Sequence, residues 1–251
     1  MAENSKIEWT SHTFNPWIGC QKVSPGCDHC YAETQNAFRK WNGGTWGPHA
    51  PRKRTSTDYW RGPHKWARAA NGSRPRVFCA SLADWLDNQA PDQWREDLAE
   101  LVAGTLQLDW LLLTKRPENF AKRAPAGWRT GLPPNVWFGI TAEDQEHFER
   151  RWRIAVDVPA AVRFVSYEPA LGPLRLPTAL QVPDWLICGG ESGRDARMMD
   201  PQWARAIRDE CAARGVAFFM KQMTKKKPVP DDLMVRQFPK SSAHVRCVDE
   251  H

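Results

Sequence analysis

No apolar run in this 251-residue chain approaches the length of a membrane span, which argues against a helical membrane protein. The first residues, Met-Ala-Glu-Asn-Ser-Lys-Ile-Glu-Trp, lack the apolar core of a signal peptide. The seven cysteines are an odd count, and disulfides are rare in cytosolic chains. Together these absences predict a protein of the reducing cytoplasm with no membrane partner. Carboxylates are nearly missing between Arg39 and Arg76, where Asp58 alone opposes ten Lys and Arg. That segment carries +9 and the rest of the chain −3, within a net charge of +6. A solvated loop has no need of such a bias, whereas a polyanion partner explains it. Tryptophan is in excess, with 14 residues. Core packing alone seldom demands that many. The length suffices to bury a full core as one domain.

Three of the cysteines are grouped: Gly19-Cys20-Gln-Lys-Val-Ser-Pro-Gly-Cys27-Asp-His-Cys30-Tyr31, a C-x6-C-x2-C spacing. Thiolates this close in sequence can converge on one metal centre. Iron–sulfur clusters are held by compact cysteine runs. A [4Fe–4S] cluster held by Cys20, Cys27 and Cys30 leaves one iron open for chemistry. A structural zinc is the plainer alternative, with His12, His29 or a distant cysteine as fourth ligand. A disulfide with one spare thiol is another. Cys79, Cys188, Cys211 and Cys247 stand singly, and Cys79 and Cys188 lie in apolar runs as small buried hydrophobes do.

Short runs rich in β-branched and aromatic residues predict strands over 76–81, 109–114, 135–141, 162–167, 184–189 and 216–221. Helical patterns over 91–104, 143–156 and 201–214 alternate with them. A first strand is expected near Asn15 to Cys20. The sum is an α/β chain with a partial or complete (β/α) barrel of about seven parallel strands. Residues 1–222 are expected to form one barrel domain with a basic insertion at 42–75, and 223–251 a tail or cover.

Polar residues punctuate the strand ends: Ser81 and Asp84; Thr114, Lys115 and Arg116; Thr141 and Glu143; Ser166 and Glu168; Gly189, Gly190, Glu191 and Ser192; Lys221 and Gln222. Parallel barrels build active sites from those ends. Helix capping is the competing role for Asp84, Thr114 and Thr141. Gly189 and Gly190 let a backbone approach a ligand closely, and Glu191 can accept from an amine or hydroxyls. The 41–75 stretch lacks a helical or strand period. Its Trp41, Trp46, Tyr59, Trp60 and Trp66 interleave with cations, the combination that contacts single-stranded nucleic acid. Arg52, Lys53, Arg54, Trp60 and Trp66 are the candidate contacts. The alternative is that the tryptophans pin the insertion to the barrel.

The ordered set Asn15-Pro16-Trp17-x-Gly19-Cys20, Cys27-x-x-Cys30-Tyr31, Leu113-Thr-Lys-Arg-Pro117, Trp137-x-Gly139, Ser166-Tyr-Glu-Pro-x-Leu-Gly-Pro173 and Gly189-Gly-Glu-Ser-Gly193 resembles the phage-associated, radical-SAM-like three-cysteine family. More remotely the chain is similar to the radical SAM superfamily, within which spore photoproduct lyase is the analogy for action on DNA. The superfamily spacing is C-x3-C-x2-C, and its Gly-Gly-Glu follows the second strand. Here the first gap is six, and Ser81-Leu-Ala-Asp84 stands after that strand. The resemblance implies a [4Fe–4S] cluster on Cys20, Cys27 and Cys30, S-adenosylmethionine (SAM) and an electron donor. It also implies hydrogen abstraction from nucleic acid through a 5′-deoxyadenosyl radical, for modification or repair. Asp84, Ser166, Glu168, Gly189, Gly190 and Glu191 are then candidate SAM contacts. Lys115, Arg116 and Lys221 meet phosphate or carboxylate, and a duplex base must flip out to react. No catalytic residue is assigned. Competing functions are a zinc- or cluster-stapled nucleic-acid-binding protein and a radical SAM-like enzyme on a small molecule or peptide.

Overall fold

Each β-branched or aromatic run forms one strand, and each amphipathic run returns the chain along the outside. The computed structural model describes residues 5–239. Its strands are β1 (His12–Phe14), β2 (Trp17–Ile18), β3 (Lys53–Arg54), β4 (Arg76–Cys79), β5 (Asp109–Thr114), β6 (Val136–Thr141), β7 (Val162–Tyr167), β8 (Trp185–Gly189) and β9 (Ala217–Gln222). Its helices are α1 (Tyr31–Arg39), α2 (Thr57–Trp60), α3 (Gly62–Ala69), α4 (Asp92–Ala103), α5 (Phe120–Arg123), α6 (Gln145–Ala155) and α7 (Pro201–Ala213). Seven strands make one parallel sheet in the order β1-β4-β5-β6-β7-β8-β9. Its two ends do not pair, so the sheet curls into a half-barrel. Glu8, before β1, and Arg236, after β9, form an ion pair of 2.9 Å.

Two expectations are corrected. The first strand lies at His12–Phe14, before Asn15. Pro16 has no N–H to extend it, and Trp17–Ile18 instead pairs antiparallel with β3, Trp17 opposite Arg54. The 42–75 stretch, aperiodic in sequence, holds β3, α2 and α3. Ser56 caps α2 by accepting from the Tyr59 amide, and Pro63 sits in the first turn of α3.

Side chains alternate along the parallel strands. Val77, Trp110, Phe138, Val165, Leu186 and Phe218 belong to the large outer core shared with the helices. Phe78, Leu111, Trp137, Phe164, Ile187 and Phe219 form a second core inside the curl. Trp9 joins that inner core, 4.7 Å from the Phe78 ring and 6.2 Å from Trp185. On β6, β7 and β9 the inward positions turn polar at the C-terminal end, at Thr141, Ser166 and Lys221. Residues 223–239 pack over the sheet: Leu233 is fully buried, and the Met220 amide donates to the Val235 carbonyl at 2.9 Å. Cys247 and the remainder of the expected tail lie outside the described residues.

Candidate cluster and cofactor cavity

A cavity of about 730 Å³ opens at the C-terminal ends of the strands. Cys20, Cys27 and Cys30 all line it. Cys20 follows Gly19, whose φ of +118° favours glycine. The Gly19 amide donates to the Leu82 carbonyl at 3.1 Å. Cys27 ends a 3-10 turn, Pro25–Cys27, and Cys30 is the N-cap of α1.

Three charged anchors dock this cysteine loop onto the strand ends. Beyond β5, Arg116 donates from Nη2 to the Gln21 carbonyl (2.7 Å) and from Nη1 to Cys20 Sγ (3.5 Å). The same guanidinium pairs with Asp84 at 2.9 Å, both side chains being buried. Beyond β6, Ser24 donates to Glu143, which is paired in the interior with Arg151 at 2.7 Å. Beyond β8, Glu191 is paired with Arg197 and stands 3.1 Å from His29 Nδ1. Arg197 also donates to the Pro25 carbonyl at 2.7 Å and reaches Asp28 at 3.4 Å.

The electrostatics follow from this packing. Burial pushes the Cys20 thiol up to about 12, with the Arg116 guanidinium pulling against it. Burial also raises Cys30. Metal ligation displaces such protons. Burial works against the charge of Glu191, but hydrogen bonds from Arg197 and His29 hold its carboxyl below the ordinary range.

Of the expected site residues, Asp84, Lys115, Arg116, Ser166, Glu168, Glu191 and Lys221 line the same cavity as the cysteines. Their partners divide them. Asp84 is filled by Arg116, Thr114 Oγ1 (2.7 Å) and the amides of Lys115 and Leu86 (both 2.9 Å). Asp84, Arg116 and Glu191 therefore hold the cysteine loop. Lys115 Nζ donates to Thr141 Oγ1 at 3.2 Å, and Lys221 pairs with Glu168. The buried Ser166 hydroxyl has no protein partner among the described residues.

Gly189 and Gly190 do not line the cavity. A Cβ on Gly190 would stand 2.6 Å from the Thr224 amide nitrogen, so this glycine admits the chain after β9 rather than a ligand. Arg52 is also placed differently from expectation. Its side chain is 1% exposed, pairs with Asp87 at 2.5 Å and donates to the Gly47 and Ala50 carbonyls. A guanidinium fork that meets a carboxylate and two carbonyls can be stable inside. Trp66 is buried and stacks on His12 at 4.4 Å, and Trp60 meets Phe14 edge-on at 5.4 Å. Arg54 pairs with Asp97 and lies 4.4 Å over the Trp60 ring. Of these five, Lys53 is left exposed with no side-chain partner among the described residues.

Sequence reasoning missed Arg197 and Ser24 as anchors. Ser24 carried a signal, lying inside the cysteine loop. Arg197 carried none, because its partners Pro25 and Asp28 are some 170 residues away. Tyr31, directly after Cys30, lines the cavity and donates to the Ser81 carbonyl at 2.6 Å.

A family profile described as "Protein of unknown function (DUF5131)" matches residues 4–245. The chain belongs to this family. No curated protein matches the DUF5131 chain. Its fold is similar to solved structures of spore photoproduct lyase. A double mutant of that enzyme with bound AdoMet and dinucleoside spore photoproduct is 10% identical at a TM-score of 0.56, over 88% of this chain and 78% of that one. A single mutant with the dinucleoside spore photoproduct is 11% identical at 0.53, over 87% and 78%. The likeness is one of fold, a curled parallel half-barrel of seven strands.

Proposed function

We propose that this DUF5131 protein is a radical SAM-type iron–sulfur enzyme acting on nucleic acid. The observation that carries the reading is the arrival of all three grouped cysteines, from a loop docked at three points, on one cavity at the C-terminal mouth of the half-barrel. The donor set fits a [4Fe–4S] cluster. It is all sulfur, the donor type that iron–sulfur clusters take.

When bound, the cluster and SAM supply one-electron chemistry that removes a hydrogen atom from a substrate, given an external electron donor. Cys20, Cys27 and Cys30 hold the cluster. The Ser166 hydroxyl and the Lys115–Thr141 and Lys221–Glu168 pairs offer donors and acceptors for the amine, carboxylate and ribose of SAM. Trp9, Phe78 and Leu113, continuous with the inner core, give the cavity an apolar wall that limits water. The +9 segment between Arg39 and Arg76 supports a polyanionic substrate, and the dinucleoside spore photoproduct bound by the structural neighbours supports a nucleic-acid base as the reacting group.

The test is anaerobic reconstitution followed by iron, sulfide and zinc analysis, SAM titration, and assay for 5′-deoxyadenosine after reduction. About four irons and four sulfides per chain with SAM binding are expected. One zinc without sulfide refutes the reading.

A further inference from the structure

Beside the cluster cavity lies a second, open groove of about 540 Å³. Its lining includes Lys40, Lys53, Arg54, Trp41 and Trp94, together with the buried Arg52, and contains no carboxylate. The cations come from separate places, the end of α1 and the edge strand β3. Arg54 is neutralised by Asp97, and Arg52 by the fully buried Asp87. Lys40 and Lys53 are exposed and have no side-chain partner among the described residues, so the groove keeps two uncompensated ammonium groups.

Trp41 and Trp94 are half-buried, each leaving part of its ring to the groove. Gly43, an exposed residue of the groove lining, takes a φ of +74°, and nothing stands within 4 Å of where its Cβ would be. A ligand can therefore approach that backbone. Flat aromatic surface beside unpaired cations and open backbone suits a base next to its phosphates. A duplex shields its base faces, so the matching form is a single strand.

The groove also has an address. Its Asn42 and Pro51 pack under Gly19, the residue before Cys20. The 41–51 loop that walls the groove presents Trp46 to the cluster cavity, and its Gly47 amide donates to the Cys20 carbonyl at 3.0 Å. One loop thus separates the groove from the cluster thiolates.

We propose that this groove is a single-strand nucleic-acid site in which Lys40 and Lys53 hold successive backbone phosphates as the strand passes beside Cys20. The inference rests on the nucleic-acid reading above; it keeps Lys53 of the expected contacts and replaces Arg52, Trp60 and Trp66 by Lys40, Trp41 and Trp94.

The test uses reconstituted full-length protein and a fluorescein-labelled 12-nucleotide oligothymidylate, titrated across a salt series. The double variant Lys40→Gln/Lys53→Gln removes the groove's free charge at exposed positions. Lys65→Gln/Arg68→Gln removes the same charge from the exposed face of α3, outside the groove. Two single-strand phosphate contacts correspond to a salt slope of about 1.4. The groove variant is expected to flatten the log–log slope by about that amount and the α3 variant to leave it unchanged. Equal weakening by both variants overturns the groove in favour of diffuse charge. Wild-type binding unaffected by the groove variant overturns the groove and leaves the nucleic-acid reading standing. No binding by wild type carrying an intact cluster overturns both, while the iron–sulfur assignment survives. Metal and sulfide content and unfolding midpoint, measured on every variant, separate lost contacts from lost fold.

Discussion

Arg116 gives the sharpest test of how the cysteine loop is held. Its guanidinium and the Asp84 carboxylate are 3% and 6% exposed and 2.9 Å apart. Arg116→Met removes the cation and leaves a carboxylate in the interior. Breaking a buried pair from one side costs about 3–5 kcal/mol. Asp84 keeps Thr114 Oγ1 and two amides as donors, which places the cost at the lower end, about 3 kcal/mol. For a chain of this size that lowers Tm by roughly 6–12 °C. The assay is thermal unfolding of the metal-free protein followed by circular dichroism. Arg205→Met, which breaks the exposed Arg205–Asp232 pair, is the comparison, expected to melt close to wild type because solvent screens that pair. Arg116 also bonds Cys20 and Gln21, so the variant should take up less iron on reconstitution. Adding Asp84→Asn completes a double-mutant cycle with a large coupling. A Tm within about 2 °C of wild type, or strict additivity with Asp84→Asn, refutes the reasoning.

Ala substitution of Cys20, Cys27 or Cys30 is expected to abolish cluster absorbance. Cys79→Ala and Cys188→Ala, whose side chains face the outer core, should retain it in whatever protein remains folded. Gly139→Ala drives a methyl into the Phe164 ring inside the curl and should cost about 1–3 kcal/mol in urea unfolding. Asp144 caps α6 and stands 2.7 Å from His147 Nδ1. Burial opposes its charge, yet the hydrogen bonds from His147 hold its carboxyl below the ordinary range. Its stabilisation is complete above the unfolded Asp value of about 4 and is lost as pH falls through the lower folded value. The stability gap between wild type and Asp144→Asn should therefore be wider at pH 6 than at pH 3, and a constant gap counts against the assignment.

Local pattern determined the elements. The strand at Asp109–Thr114 and the start of α7 at Pro201 fall where apolar runs and helix signals put them, because pleat, period and capping depend on near neighbours. The grouping of Cys20, Cys27 and Cys30 was legible for the same reason. The first strand was misplaced around Pro16, and α2 and α3 were missed, since helices of four and eight residues offer too short a period to read. What the charged residues do was decided by the tertiary structure alone. Asp84 and Glu191 resemble free ligand contacts in sequence. Arg116, 32 residues from Asp84, and Arg197, 169 and 172 residues from its partners in the cysteine loop, turn them into anchors. Arg52 and Lys53 are neighbours in one basic run, yet one is buried against Asp87 and the other faces solvent. A buried charge needs a partner of opposite sign at bonding distance, and only the packed chain determines which partner that is.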